Sequence, residues 1–342
     1  MTDTTHTFHR IAVVGAGAWG TALAAHLAGK SLPVTLWAYE TEVVDSISRG
    51  RENRIFLPGI TLPALLTATH SLAEALQGAD VLLFAVPSHA ARSVLAGMNE
   101  TGHPPVPVIS ATKGIEEGSL ELMSQVVTHT WLRDKSDLLT VLSGPSFAGE
   151  VAREQPAAVT LAGSDRKLVR DLQALLITPR FRVYGSSDVV GVQLGGALKN
   201  VIALAAGVVD GLGLGHNTRA ALITRGLAEI VRLGQAMGAD PRTFYGLSGV
   251  GDLVLTSTGP ASRNHQVGLR LGQGERLPDI LHSMQAVAEG VRTARAALGL
   301  AERHHIDMPI VREVCAVLFE GKSCSRAVSD LMERGAKEEV VC

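Results

Sequence analysis

Aromatic side chains are scarce in this 342-residue chain, with Phe, Tyr and Trp together making up 4% of it. A core built under that restriction packs through Ala, Val and Leu and through close backbone approach at its 36 glycines, as α/β proteins often do. Cysteine is nearly absent. The three present, Cys315, Cys324 and Cys342, all lie near the C-terminus. Their odd number and the lack of any Cys-x-x-Cys or Cys/His spacing argue against a disulfide framework or a zinc site, so no metal is expected and a reducing cytoplasm fits best. An excess of one charge is lacking too: 31 Lys and Arg stand against 33 Asp and Glu, a net charge of −2. That balance argues against nucleic acid as a partner, because phosphate backbones demand a concentrated basic surface. An anionic ligand must then be held by a few placed Lys and Arg side chains. Residues 1–10 are polar and lack the apolar stretch of a signal peptide. The longest apolar run, 192–215, contains Lys199, Asp210 and several glycines. A membrane span needs ~20 clean apolar residues, so burial inside the protein is expected instead.

What is present is length enough for two domains. In the first half, short apolar runs alternate with helical patterns. Strand-like segments fall at 11–14, 34–37, 81–86, 106–110, 138–142 and 158–161, with helical patterns at 18–28 and 42–48. Such alternation implies a mostly parallel sheet with helices on both faces. After about Asp188 the segments 189–209, 218–237, 281–300 and 310–318 read as helices and strand signals nearly vanish. The expected fold is an α/β N-terminal domain over 1–188 followed by an all-α domain over 189–342.

Gly15-Ala16-Gly17-Ala18-Trp19-Gly20 is a G-x-G-x-x-G that follows the first strand and opens a helix. The first glycine permits the tight turn, the second lets backbone approach a pyrophosphate, and the third allows helix and strand to pack closely. The helix N-terminus then offers free N–H groups and partial positive charge to phosphates. This context points to a Rossmann domain binding a dinucleotide. At the end of the second strand stand Tyr39 and Glu40. An acidic residue there bonds the ribose 2′-OH, whereas a basic one favours the 2′-phosphate of NADP; Glu40 equally suits a helix cap. His89, after Pro87, reads as a surface loop histidine.

Two further strand ends carry polar residues at the sheet's ligand-bearing edge: Lys113 after 106–110, and Gly144 with Ser146 after 138–142. Lys199 sits in a helical stretch so apolar that most of its faces should be buried. A buried ammonium is costly unless paired or functional, and desolvation lowers its pKa towards the range useful for proton transfer. Structural ion pairing is the competing explanation. Asp252 follows a glycine-rich turn, and Ser262-Arg263-Asn264 offers a guanidinium fork suited to a phosphate, or an ordinary surface turn.

Taken in order, the stretches 15–21, Asn53 with Leu57-Pro58-Gly59, 86–90, Thr112-Lys113-Gly114, 144–148, Leu198-Lys199-Asn200, 213–219, 249–255 and Ser262-Arg263-Asn264 resemble the bacterial NAD(P)-dependent glycerol-3-phosphate dehydrogenases. The resemblance runs over nearly the whole chain. It implies reversible interconversion of sn-glycerol 3-phosphate and dihydroxyacetone phosphate with NAD or NADP, supplying glycerol 3-phosphate for phospholipid synthesis in the cytoplasm. It implies that Gly15, Gly17, Ala18, Trp19, Gly20, Tyr39, Lys113, Ala148, Arg263, Val287 and Glu289 hold the cofactor. Lys113, Gly144, Ser146, Lys199, Asp252, Ser262, Arg263 and Asn264 would surround the substrate, with Lys199 the catalytic proton acceptor. A homodimer is compatible with it. Two positions depart from the family pattern. Ala18 stands where serine is common, and Tyr39 where Arg or His is usual, which puts a preference for NADP in doubt. The alternatives are a β-hydroxyacid or 6-phosphogluconate type dehydrogenase, distinguished by a carboxylate-bearing substrate, and a redox sensor that binds NAD(P) without turnover.

Overall fold

The structure, a computed structural model, describes residues 8–284, 288–335 and 338–339. The chain forms two compact units. The first comprises residues up to Thr112 together with Met123–Val189; the second comprises Lys113–Leu122 together with the chain from Val190 onward.

In the first unit, strands β1 (Ile11–Val14), β2 (Val34–Trp37), β3 (Leu66–Thr69), β4 (Val81–Phe84), β5 (Val108–Ser110), β6 (Leu139–Ser143), β7 (Ala157–Gly163) and β8 (Phe181–Ser186) form one sheet. Its order is 3-2-1-4-5-6-7-8. The first six positions run parallel in the doubly wound dinucleotide-binding order. β7 reverses against β6, and β8 pairs parallel to β7. Helices α1 (Ala18–Gly29), α2 (Thr41–Gly50), α3 (Leu72–Leu76), α4 (Ser88–Glu100), α5 (Met123–Val127), α6 (Ala148–Ala152) and α7 (Arg166–Leu176) cover the sheet. Side chains alternate across a strand. Ile11 and Val13 therefore join one apolar cluster with α1, α2 and α7, while Ala12 and Val14 join another with α3, α4 and α5. Both faces are buried, which is why β1 and β4 are continuous apolar runs.

β3 and β8 are strands without such a run. Both are sheet edges. β3 reads Leu-Thr-Ala-Thr with Thr67 exposed, and β8 alternates buried Phe181 and Val183 with exposed Arg182 and Tyr184.

The second unit is built from α8 (Val189–Gly211), α9 (Gly215–Ala236), α10 (Asp252–Thr258), α11 (Arg263–Gly272), α12 (Leu277–His282), α13 (Glu289–Arg303), α14 (Pro309–Phe319) and α15 (Cys324–Met332). The single helix expected over 281–300 is replaced at its start: α12 ends at His282 and α13 begins at Glu289. α8 is long and apolar enough to cross a membrane by length and composition, yet 83% of its most apolar stretch is buried inside the protein. α11 packs against it at contact distance. A Cβ on Gly207 would lie 2.1 Å from the His265 carbonyl oxygen, and one on Gly268 2.0 Å from that of Leu204. The backbones of α8 and α11 therefore touch, and only glycine fits between them. The Lys113–Leu122 segment closes with an antiparallel bridge between Ile115 and Leu122, and both side chains enter the helical core.

Candidate active site

The glycine loop after β1 is dictated by contact. Gly15 has φ +111°, and a Cβ there would lie 2.6 Å from the Ala85 carbonyl oxygen. A Cβ on Gly20 would lie 1.9 Å from the Gly15 oxygen. Gly17 differs, since a Cβ there would meet no described residue within 4 Å. It is the open side of the turn, where a ligand's phosphates would approach. Gly17 is also the N-cap of α1 and has no side chain to cap the helix, so the first N–H groups are left for a ligand. Beside them, Ala18 and Trp19 are half-buried, and the indole Nε1 of Trp19 is buried without a partner among the described residues. These features fit a bound dinucleotide.

At the end of β2, Tyr39 is 81% exposed. Glu40 occupies the N-cap position of α2, but its side chain makes no capping bond. His89 is exposed in the first turn of α4, on a helix rather than the expected loop. Beyond β6, Gly144 has φ +142° with its would-be Cβ 2.9 Å from Val159 Cα. The Ser146 hydroxyl donates to the Gly144 carbonyl at 2.9 Å, and Ala148 opens α6.

In the second unit, Lys199 on α8 is only 7% exposed. Its Nζ lies 2.5 Å from Asp252 Oδ1 and 2.7 Å from Thr256 Oγ1. Asp252 is fully buried, and its other oxygen accepts from Lys113 Nζ at 2.7 Å. One carboxylate thus sits between two ammonium groups. Burial pulls the Lys199 pKa down to about 7, opposed by the Asp252 charge and assisted by Lys113. For Asp252, burial alone would raise the pKa, but the ammoniums of Lys113 and Lys199 outweigh it and hold the carboxyl below its ordinary range.

Glycine contacts deliver these groups to one place. A Cβ on Gly195 would fall 2.3 Å from the Ser248 oxygen, and one on Gly249 2.0 Å from the Phe244 oxygen. The turn kinks at Gly249 immediately before α10, which places Asp252 at the helix's first residue. An acidic group there is favoured by the helix dipole.

Next to Lys199, the Asn200 side-chain oxygen accepts from Asn264 Nδ2 at 2.9 Å. Asn264 Oδ1 in turn accepts from the Gly290 N–H at 2.9 Å, beside Glu289 at the start of α13. Ser262 is the N-cap of α11, its hydroxyl accepting from His265 N–H at 3.2 Å. Arg263 is exposed in the same turn. Val287 lies outside the described residues. The structure therefore joins Lys113, Lys199 and Asp252 directly, and links Asn264 to Lys199 through its neighbour. Two participants were not read from the sequence. Thr256 carried a usable signal, lying four residues after Asp252 and hence on the same helix face. Asn200 was seen only as part of the Lys199 stretch.

A doubly wound sheet with an open glycine loop, and, in a separate helical unit, a lysine that burial brings to about 7 beside an aspartate, define a dinucleotide-dependent dehydrogenase. Family models described as the NAD-dependent glycerol-3-phosphate dehydrogenase N-terminus and C-terminus match residues 10–169 and 188–329. The chain belongs to that family. It is 56% identical over 330 residues to the glycerol-3-phosphate dehydrogenase (NAD(P)+) of Geobacter metallireducens, covering 96% of this chain and 98% of that one. The crystal structure of glycerol-3-phosphate dehydrogenase from Coxiella burnetii superposes with a TM-score of 0.90 at 40% identity, covering 95% of this chain and 99% of that one. The yeast enzyme, at 29% identity, gives a TM-score of 0.79 over 96% of this chain and 100% of its own.

Proposed function

We propose that this chain interconverts sn-glycerol 3-phosphate and dihydroxyacetone phosphate with NAD(P), using Lys199 as the proton acceptor. The carrying observation is the buried Lys113–Asp252–Lys199 constellation, with Lys199 titrating at about 7, on a chain 56% identical to enzymes of that name. Bound NAD(P) supplies the hydride acceptor at its nicotinamide ring. The protein's part is to align the carbon and move the proton. In oxidation the neutral Lys199 amine would take the C2 hydroxyl proton as the C2 carbonyl forms. In reduction the Lys199 ammonium returns that proton. Asp252 keeps Lys199 Nζ in place while Lys113 opposes its protonation, so the amine stays usable near neutral pH.

Arg263 would provide a charge-assisted fork to the substrate phosphate, with Asn264 and Ser262 beside it; Gly144 and Ser146 are assigned to the substrate as well. Gly15, Gly17, Ala18, Trp19, Gly20, Tyr39, Lys113, Ala148, Arg263 and Glu289 are assigned to the dinucleotide. Residues 1–188 would then supply most of the dinucleotide's contacts and 189–342 most of the substrate's. A cytoplasmic location, a homodimer and supply of glycerol 3-phosphate to phospholipid synthesis complete the reading.

The test is a spectrophotometric assay of dihydroxyacetone phosphate reduction with NADH and NADPH in parallel, alongside 6-phosphogluconate and a β-hydroxyacid with the oxidised cofactors. Turnover of dihydroxyacetone phosphate alone supports the proposal. Turnover of a carboxylate substrate instead, or dinucleotide binding without any turnover, overturns it.

A further inference from the structure

Asn53 lies in the loop after α2, far in sequence from the glycine turn, yet it is fully buried. Its Nδ2 donates to the Ala16 carbonyl at 2.8 Å and to Thr21 Oγ1 at 2.9 Å. The Thr21 hydroxyl itself donates to the same Ala16 oxygen at 3.1 Å. Two donors therefore converge on one carbonyl, and that carbonyl is the middle of Gly15-Ala16-Gly17. Because a carbonyl can only accept, the Asn53 atom facing it must be the amide nitrogen. The other end of the side chain is also engaged, with Oδ1 accepting from Phe56 N–H at 3.1 Å. The loop is held by Arg51, whose guanidinium donates to the carbonyls of Leu62 and Leu66.

The consequence follows from peptide geometry. A trans peptide unit is planar, with its C=O and N–H pointing in opposite directions. Holding the Ala16 oxygen towards the buried Asn53–Thr21 pair turns the Gly17 N–H of the same unit the other way. A Cβ on Gly17 itself would meet no described residue within 4 Å, so there is room for a ligand at that residue. A glycine turn left to itself tolerates a flipped peptide, since Gly restricts its backbone least. A flip would present a carbonyl oxygen to an incoming pyrophosphate instead of an N–H.

We propose that Asn53 is a positioning residue for the dinucleotide: gripping the Ala16 carbonyl from behind, it locks the Ala16–Gly17 peptide with its N–H turned out to the pyrophosphate. The role rests on reading Gly15-Ala16-Gly17-Ala18-Trp19-Gly20 as the dinucleotide loop. Thr21 is its partner, sharing the grip on the oxygen and orienting the Asn53 amide.

Asn53→Asp separates this role from a purely local one. It keeps an oxygen for Phe56 N–H but replaces the donor facing Ala16 with an acceptor. NADH titrations followed by fluorescence at pH 8.5 are expected to give a Kd raised at least tenfold, with kcat at saturating NADH and dihydroxyacetone phosphate within threefold of wild type. Towards pH 6, part of the affinity should return as the new carboxyl protonates and donates. Thr21→Val, nearly isosteric, should raise the Kd at least threefold. A folded Asn53→Asp protein with wild-type NADH affinity at pH 8.5, or one whose kcat collapses together with its affinity, overturns the proposal. If Asn53→Asp does not fold, Thr21→Val decides, and unchanged affinity overturns it. Wild-type protein that binds neither NADH nor NADPH sinks the reading of the loop itself, whatever the variants do.

Discussion

Removing the Lys199 amine tests the proton step directly. Lys199→Ala is expected to lower kcat at least ~10²-fold, the usual contribution of a positioned general acid–base. NADH affinity by fluorescence titration should stay nearly unchanged, because the glycine loop is assigned the pyrophosphate. Lys199→Arg should rescue little, since a guanidinium does not release its proton near neutral pH; full activity in that variant would reduce Lys199 to a structural charge. The pH dependence has a defined sign. With Lys199 titrating at about 7, kcat/KM for oxidation should rise with pH and level off above about 7, where the amine is neutral. For reduction it should fall through the same region. Asp252→Asn removes the charge that raises the Lys199 pKa, so both limbs should move to lower pH. Cofactor choice also turns on single residues. The exposed Tyr39 offers no cation to a 2′-phosphate, so NADH should serve at least as well as NADPH in parallel assays. A preference for NADPH above ~100-fold, about 2.8 kcal/mol, would show that a basic residue elsewhere reads the phosphate. The burial of Lys199 was legible because its neighbours Leu198, Val201 and Ile202 are apolar. Its counter-charge was not, because Lys199 and Asp252 are 53 positions apart and no local pattern pairs them.

At the scale of elements, glycine decides how closely the helices approach. Gly268→Ala would place a Cβ 2.0 Å from the Leu204 carbonyl oxygen of α8, a contact with backbone that no rotamer change relieves. Overpacking of this kind typically costs roughly 1–3 kcal/mol, and the expected readout is a lowered Tm. Because α11 begins with Arg263 and Asn264, the same displacement should raise the KM for dihydroxyacetone phosphate. Gly29→Ala, where a Cβ meets no described residue within 4 Å, is the control and should be neutral or slightly stabilising. An unchanged KM in a folded Gly268→Ala protein would show that α11 does not need this spacing to present its side chains. Elements were legible in proportion to their burial. β1, β2 and the helices α1 and α8 stand out as continuous apolar or strongly patterned runs. β3 and β8 do not, because an edge strand needs fewer apolar residues. The excursion of Lys113–Leu122 into the helical unit was illegible for another reason. Its apolar anchors are Ile115 and Leu122, with Leu120 packed beside them, too short a pattern to mark a change of unit along the chain.

At the scale of the whole molecule, stability should depend on pH through one buried carboxyl. Glu229 on α9 accepts from the backbone N–H groups of Ile310 at 2.7 Å and Val311 at 3.3 Å, tying α9 to the first turn of α14 across about eighty residues of sequence. Burial pushes its pKa up to about 7, although both N–H groups pull the other way. An unfolded chain would release this proton near the ordinary glutamate value of about 4.3. Between those values the folded state holds a proton that the unfolded state has lost. The stabilisation from this carboxyl is therefore complete below the unfolded pKa and disappears as pH rises through about 7. The full difference is on the order of 3 kcal/mol, at 1.36 kcal/mol per pKa unit. Glu229→Gln keeps an oxygen for the Ile310 N–H but cannot titrate. Urea denaturation of both proteins at pH 5 and pH 7.5 isolates the effect, since every other ionisable group is shared. Wild type should lose on the order of 2–3 kcal/mol relative to the variant over that interval. Parallel stability curves would mean that Glu229 remains charged in the fold, stabilised by the helix N-terminus it caps.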